Sequence, residues 1–277
     1  MTGGIDFRHE PVLGPRAIEL LAPTGDGLYV DGTVGGGGHA RLLLEACSDC
    51  RLLAVDRDPE ALDAARAALA AYAPRVRFLQ ARFDEVGDDR EVRSEGIAGA
   101  LLDLGVSSHQ IDRDRRGFTF RAHAPLDMRM TPEGASAADL LNDAPADELA
   151  RVFREYGEER RARALAREVV RRRAASPLRV SDDLVAAIVR VLGPGVAAQD
   201  KARIFQALRI AVNGELEALE RALPALRDAL RDGGVLLVIS YHSLEDRLVK
   251  NAFREWSREC VCPPELPVCA CRGRALG

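Results

Sequence analysis

Leu28-Tyr29-Val30-Asp31-Gly32-Thr33-Val34-Gly35-Gly36-Gly37-Gly38-His39, running on into Ala40-Arg41-Leu42-Leu43-Leu44, decides the fold. A short β-branched and aromatic run ends in an acid, passes through glycines and enters a helical pattern, which reads as strand, loop, helix. Glycines let the backbone approach a ligand closely, and the unpaired N–H groups of a helix start attract polar or anionic groups. The loop is expected to hold a nucleotide-like ligand. Gly35-x-Gly37-x-x-Ala40 fits the dinucleotide-binding pattern. Asp31 with Gly35 and Gly37 fits most of the acid-and-glycine pattern of S-adenosylmethionine sites. Both readings stand open here, beside that of a Gly-rich turn without a ligand.

Working outward, Arg51 to Val55 reads as a second buried strand ending at Asp56, with Asp58-Pro59 as N-cap and first-turn proline of a helix over Glu60 to Tyr72. An acid about 20 residues beyond the glycines suits ribose hydroxyls. A third strand, Val76 to Gln80, precedes Ala81-Arg82-Phe83-Asp84. A fourth, Ile97 to Leu102, ends at Asp103-Leu104-Gly105. A fifth, Val235 to Ile239, runs into Ser240-Tyr241-His242-Ser243-Leu244-Glu245-Asp246. Strands alternating with helices imply a parallel sheet whose ligands sit beyond the carboxyl strand ends, where Asp31, Asp56, Phe83 and Asp103 all fall. Ser243 with Asp246 fits a capping box, and His242 joins the site-lining candidates through its place at a strand end.

At 277 residues, 47% hydrophobic and 30% charged, the chain can bury a core as one large domain or one domain with an insertion. Its net charge of −4 does not announce a nucleic-acid binder, yet Lys201 and Lys250 are the only lysines among 39 basic residues. Arginine suits bidentate phosphate contacts and stacking on bases, and coding bias gives the same composition. The first residues carry no signal-peptide pattern and no apolar run is long enough to span a membrane, so a cytoplasmic protein with no membrane partner is expected. Its six cysteines are then expected to be thiols, metal ligands or inert core residues. Cys47 and Cys50 read as ordinary packing residues. Cys260-x-Cys262 and Cys269-x-Cys271 could hold zinc but depart from the usual ligand spacing, and no metal is expected.

From about Gln110 to Gln199 the pattern becomes helical, without convincing alternating strands. This reads as an all-helical insertion over 110–204 within a catalytic domain of 1–109 and 205–277. In its most basic helix Arg160, Arg163, Arg167 and Arg171 recur at helical spacing, a stripe that could follow a phosphate backbone or form a solvated face balanced by Glu158, Glu159 and Glu168.

Taken together, DGTVGGGGH from Asp31, AVDRDP from Ala54, LLDLGVSS from Leu101, PLDMRM from Pro125, YGEER from Tyr156, FQALRIAVNGEL from Phe205 and SYHSLEDR from Ser240 resemble the bacterial small-subunit ribosomal RNA cytosine-N4 methyltransferases of the MraW type, along nearly the whole chain. The resemblance implies an α/β, class I S-adenosylmethionine-dependent methyltransferase fold, Rossmann-like and mainly parallel, with the helical insertion recognising the substrate. It implies methylation of the exocyclic N4 of a cytidine in the decoding region, on small-subunit ribosomal RNA within the assembled subunit; a homodimer is compatible with it. By motif position, Gly37, Gly38 and His39 would hold the methionine end of the donor and Asp56 its ribose. Phe83 would lie against the adenine, and Asp103 and Gln110 would complete the pocket. Two features depart from the family: His109 stands where proline is usual, and the sequence stops at Gly277, before the arginine-containing tail that supplies the family's final strands.

Asp103 is the candidate catalytic acceptor for an N–H bond of the target amine. Tyr241 or Phe120 would receive the unstacked base, with His242, Arg160, Arg163 and Arg167 as further substrate-binding candidates. Two competing classes are a nicotinamide-dependent oxidoreductase on the same loop pattern, disfavoured by the motifs at Asp103 and Ser240, and an RNA-binding assembly factor that performs little chemistry.

Overall fold

The computed structural model describes residues 11–106, 114–260, 262, 268, 271 and 275–277. In chain order the elements are α1 (Gly14–Leu21), β1 (Leu28–Asp31), α2 (Gly38–Ala46), β2 (Arg51–Asp56), α3 (Pro59–Ala68), β3 (Val76–Gln80), α4 (Arg90–Glu95) and β4 (Ile97–Asp103). There follow α5 (Ala137–Asp143), α6 (Ala146–Glu155), α7 (Ala162–Arg173), α8 (Ser181–Leu192), α9 (Ala198–Asn213), α10 (Glu215–Ala229), β5 (Leu230–Ile239) and α11 (Ser243–Trp256). The contacts divide the chain into an α/β unit, Met1–Gly105 with Ala218–Gly277, and a helical unit, Val106–Glu217.

In the α/β unit the strands lie in the order β3-β2-β1-β4-β5 and every neighbouring pair is parallel. Side chains alternate across a strand, so both faces must be apolar when both are covered. Tyr29, Leu52, Ala54 and Leu101 face one cluster with Ala17, Leu21, Leu43, Leu44, Leu62 and Ala65 from α1, α2 and α3. Leu28, Val30, Leu53, Val55, Ala100 and Leu102 face the other, with Val92 of α4, Leu219, Leu223 and Leu226 of α10 and Trp256 of α11. Each leucine so buried contributes about 2 kcal/mol relative to exposure.

Local chemistry sets most boundaries. Asp58 caps α3 by accepting the Glu60 N–H at 3.0 Å, with Pro59 in the first turn. The helix expected to reach Tyr72 stops at Ala68 and tightens into a 3₁₀ segment, Ala70–Arg75. Pro74 lies inside that segment, where its missing N–H keeps the chain from returning to α-helical bonding onto Ala70. Strand β5 starts at Leu230 rather than Val235, because Leu230 already pairs with Ile97 before a register shift passes the ladder to Gly99 and Val235. His242, not Ser243, is the N-cap of α11. Cys47 and Cys50, read as packing residues, are joined by a disulfide. Extended backbone at Cys47 after α2 and the short turn to β2 bring their Cα atoms to 5.6 Å, within disulfide reach.

The helical unit is built around Leu141, Leu149, Phe153, Leu165, Val169, Leu184 and Ile188. It also takes up α9, whose Ile204, Phe205, Ala207 and Leu208 pack into the same core, so the contact boundary falls after Glu217 rather than after 204. Asn213, buried, ties the end of α9 to the chain before α5, accepting from the Met130 N–H at 2.9 Å and donating to the Met128 carbonyl at 2.8 Å. No helix among the described residues is long and apolar enough to cross a membrane.

Candidate functional site

Beside β1 the chain connects one way to β2 and β3 and the other way to β4 and β5, so the loops after β1 and β4 part and leave a crevice at the carboxyl edge of the sheet. Backbone hydrogen bonds fix the glycine loop there. Gly32 N–H donates to the Leu101 carbonyl and Val34 N–H to the Val55 carbonyl, both at 2.9 Å. A Cβ on Gly32 would stand 2.5 Å from a Leu102 methyl and 3.2 Å from the Phe83 Cβ, so any larger residue would force the buried Leu102 side chain to shift. Gly37, at φ 83°, is the N-cap of α2 and turns the loop into the helix in left-handed backbone.

Three strand-end acids meet in this crevice. Asp31 is 3% exposed and accepts the Thr33 N–H at 3.2 Å. Burial pushes its pKa up to about 7, opposed by that hydrogen bond and reinforced by the charges of Asp103 and Asp56. Asp56 accepts from the Asp58 and Gly35 N–H groups, both at 2.9 Å, and burial raises it to about 6. The Gly35 bond ties the end of β2 directly to the glycine loop. At the end of β4, the Asp103 N–H donates to the Thr33 hydroxyl at 2.6 Å, and the Asp103 carboxylate accepts the Tyr241 hydroxyl at 2.8 Å. Burial, then the bond to Asp103, raises the Tyr241 pKa, so the phenol stays a donor. Tyr241 as a residue is 54% exposed.

His39, in the first turn of α2, has Nε2 at 2.9 Å from the Val12 carbonyl and Nδ1 at 3.7 Å from the Asp103 carboxylate. A carbonyl can only accept, so Nε2 carries a hydrogen and Nδ1 is the atom turned to Asp103. Phe83 opens the 3₁₀ segment after β3, half-buried against the core cluster on one face of the sheet. The structure thus brings Gly37, Gly38, His39, Asp56 and Asp103 to one edge of the sheet, with Phe83 after the neighbouring strand. Gln110 lies outside the described residues, as does the His109 departure.

The remaining candidates divide. The His242 ring is held on its own helix, Nε2 standing 3.0 Å from the Glu245 carboxylate. In the helical unit Arg160, Arg163 and Arg167 are exposed and form no ion pair with a described residue. Arg171, one turn further on, bonds Glu168 at 2.7 Å and is a structural member of the stripe. Phe120 packs edge-on against Phe205 at 5.9 Å. What residue patterns alone missed is the pairing of Tyr241 with Asp103 and the Thr33 clasp: both join positions far apart in sequence, and the only signal was that each follows a strand.

The profile of the MraW methylase family matches residues 6–276. The chain belongs to the MraW methylase family. Among curated MraW relatives, the ribosomal RNA small subunit methyltransferase H of Gemmatimonas aurantiaca is 54% identical over 100% of this chain and 87% of its own length. The protein of the same name from Heliobacterium mobile is 50% identical over 98% of this chain and 89% of its own. This MraW methylase has the class I S-adenosylmethionine-dependent fold, and S-adenosylmethionine is its methyl donor. The residues fit that group. The donor carries a positive sulfonium and a ribose diol, and the crevice offers three carboxylates, two of which, Asp31 and Asp56, burial holds above the usual carboxylate range.

Proposed function

We propose that this methylase acts on small-subunit ribosomal RNA and methylates the exocyclic N4 of one cytidine in the decoding region, within the assembled subunit. Relatives about half identical along nearly the whole chain carry the small-subunit name, which supports the RNA as substrate. The observation that carries the chemistry is Asp103, a carboxylate at the end of β4 oriented by the Tyr241 hydroxyl at 2.8 Å.

The bound donor supplies a methyl group activated by the sulfonium. The cytosine amine is a poor nucleophile because its lone pair is delocalised into the ring. A protein acceptor must therefore take an N–H hydrogen bond as the new N–C bond forms, stabilising the positive charge that develops on nitrogen. Asp103 fills that role, with Tyr241 fixing one carboxylate oxygen and His39 Nδ1 near the other. Gly37, Gly38 and His39 hold the methionine end, Asp56 the ribose and Phe83 the adenine face, with Gln110 completing the pocket. Tyr241, half-exposed, offers a ring face to the unstacked base. Arg160, Arg163 and Arg167 track the RNA backbone.

The test is transfer of labelled methyl to small subunits lacking the modification, with the labelled nucleotide mapped by nuclease digestion and mass spectrometry. Label on a single cytidine N4 is the expected result. Label on another base or position, or none under conditions where the donor binds and a longer relative is active, would overturn the assignment.

A further inference from the structure

We propose that Cys260, Cys262 and Cys271 form a zinc-binding thiolate site that closes the segment after α11. Their three sulfur atoms lie within 4.8 Å of one another, drawn from two C-x-C steps separated by a proline-rich run. The Sγ atoms of Cys260 and Cys271 are 3.8 Å apart. Two thiolates at about 2.3 Å from one tetrahedral zinc stand about 3.8 Å apart, so this pair already spans one edge of the coordination polyhedron.

The surroundings explain what such an ion would do. Beyond α11 the described residues form no regular helix or strand. Near its far end the Leu276 N–H donates to the Trp256 carbonyl at 2.7 Å. Trp256 itself is held in the core cluster, under the Arg227 guanidinium at 4.8 Å and beside Phe253 at 5.2 Å. A segment without regular helix or strand has few backbone bonds to offset its ordering entropy, and a metal clip supplies that stabilisation in small or loop-rich segments. The cysteines are exposed or half-buried. Soft thiolates select zinc over magnesium or calcium, and binding would release the thiol protons to solvent.

The full chain, purified under reducing conditions without chelator, would be analysed for zinc by mass spectrometry. The metal-free chain would then be titrated with Zn2+ against a chromophoric chelator, and with Co2+ to record thiolate-to-metal absorption. One zinc per chain is expected, with a sulfur charge-transfer band for cobalt. Cys260→Ser, Cys262→Ser and Cys271→Ser should each weaken binding about tenfold or more. Zinc should protect the segment after Trp256 from proteolysis in the native chain but not in these variants. Circular dichroism of each variant verifies that the α/β unit is folded. Absence of a stoichiometric ion, a Cys260–Cys271 disulfide in its place, or undiminished zinc binding by Cys260→Ser and Cys271→Ser would overturn the proposal.

Discussion

Two acids, one in each unit, are nearly equally buried and are driven in opposite directions. Asp31 in the α/β unit is 3% exposed and Glu168 in the helical unit 9%. Asp31 is pushed up to about 7, whereas hydrogen bonds from Arg171 and then Arg172 hold Glu168 down near 2. Burial acts against the charged form in both cases; it is the leading cause at Asp31, whereas at Glu168 the Arg171 hydrogen bond outweighs it. Glu168 meets two guanidiniums on its own helix at 2.7 and 2.8 Å, while Asp31 meets a backbone N–H and two other carboxylates. At Glu168 the helical unit neutralises a buried charge within one helix. The crevice of the α/β unit has gathered like charges around Asp31, which raise its pKa further, and raised values of this kind cluster at functional sites.

The sharpest way to break this contrast is at Asp103. Asp103→Asn keeps the size of the side chain and removes the charge, and single-turnover methyl transfer should fall by about 10²–10³-fold with donor affinity largely retained. Near-normal transfer would remove Asp103 from the chemistry, and loss of donor binding alone would assign it to the cofactor. The next largest effect concerns the arginines that Glu168 does not hold. Replacing Arg160, Arg163 and Arg167 by alanine should weaken RNA binding and shallow the plot of log affinity against log salt by about 0.7 to 0.9 per lost phosphate contact. Arg171→Ala should leave that slope nearly unchanged, because its guanidinium is already committed to Glu168.

At Asp31 the effect is on pH dependence. Its folded pKa, about 7, lies above the ordinary 3.8, so the folded chain holds a proton that the unfolded chain releases. That contribution to stability is fully present below the unfolded pKa and is lost as pH rises through the folded one. Asp31→Asn should therefore flatten the decline in stability between about pH 4 and 7, measured by denaturant unfolding across that range. A cationic ligand favours ionised Asp31, so donor affinity should rise with pH from 6 to 8 in the native chain and more weakly in Asp31→Asn. Glu168→Gln should have the smallest effect, lowering stability by about 1 kcal/mol or less and leaving methyl transfer unchanged, because exposed guanidinium partners screen the pair.

Much of the contrast was visible in the residues themselves. Asp31, Asp56 and Asp103 each end an apolar run, and in a parallel sheet strand ends gather at one edge, so their convergence follows from pattern alone. The glycines between Asp31 and His39 announced a close backbone approach, which Gly32 and Gly37 display. The stripe of arginines was legible as a spacing, but not which members were already spent. Arg171 and Arg163 are equivalent in a helical repeat, and only the position of Glu168 separates them.

Sequence by itself determined the order of strands and helices, the ligand edge of the sheet, the helical character of the insertion and the family, because these depend on periodicity, glycine and proline chemistry and motif spacing, all local properties of the chain. Tertiary structure alone decided that Tyr241 grips Asp103, that Thr33 receives the Asp103 N–H, that α9 packs with the helical core, that Cys47 and Cys50 join, and that the sulfurs of Cys260, Cys262 and Cys271 converge. Most of these are contacts between residues distant along the chain, and the others depend on the course of a loop; in either case the geometry is fixed by how the elements pack and not by the identity of neighbours in sequence.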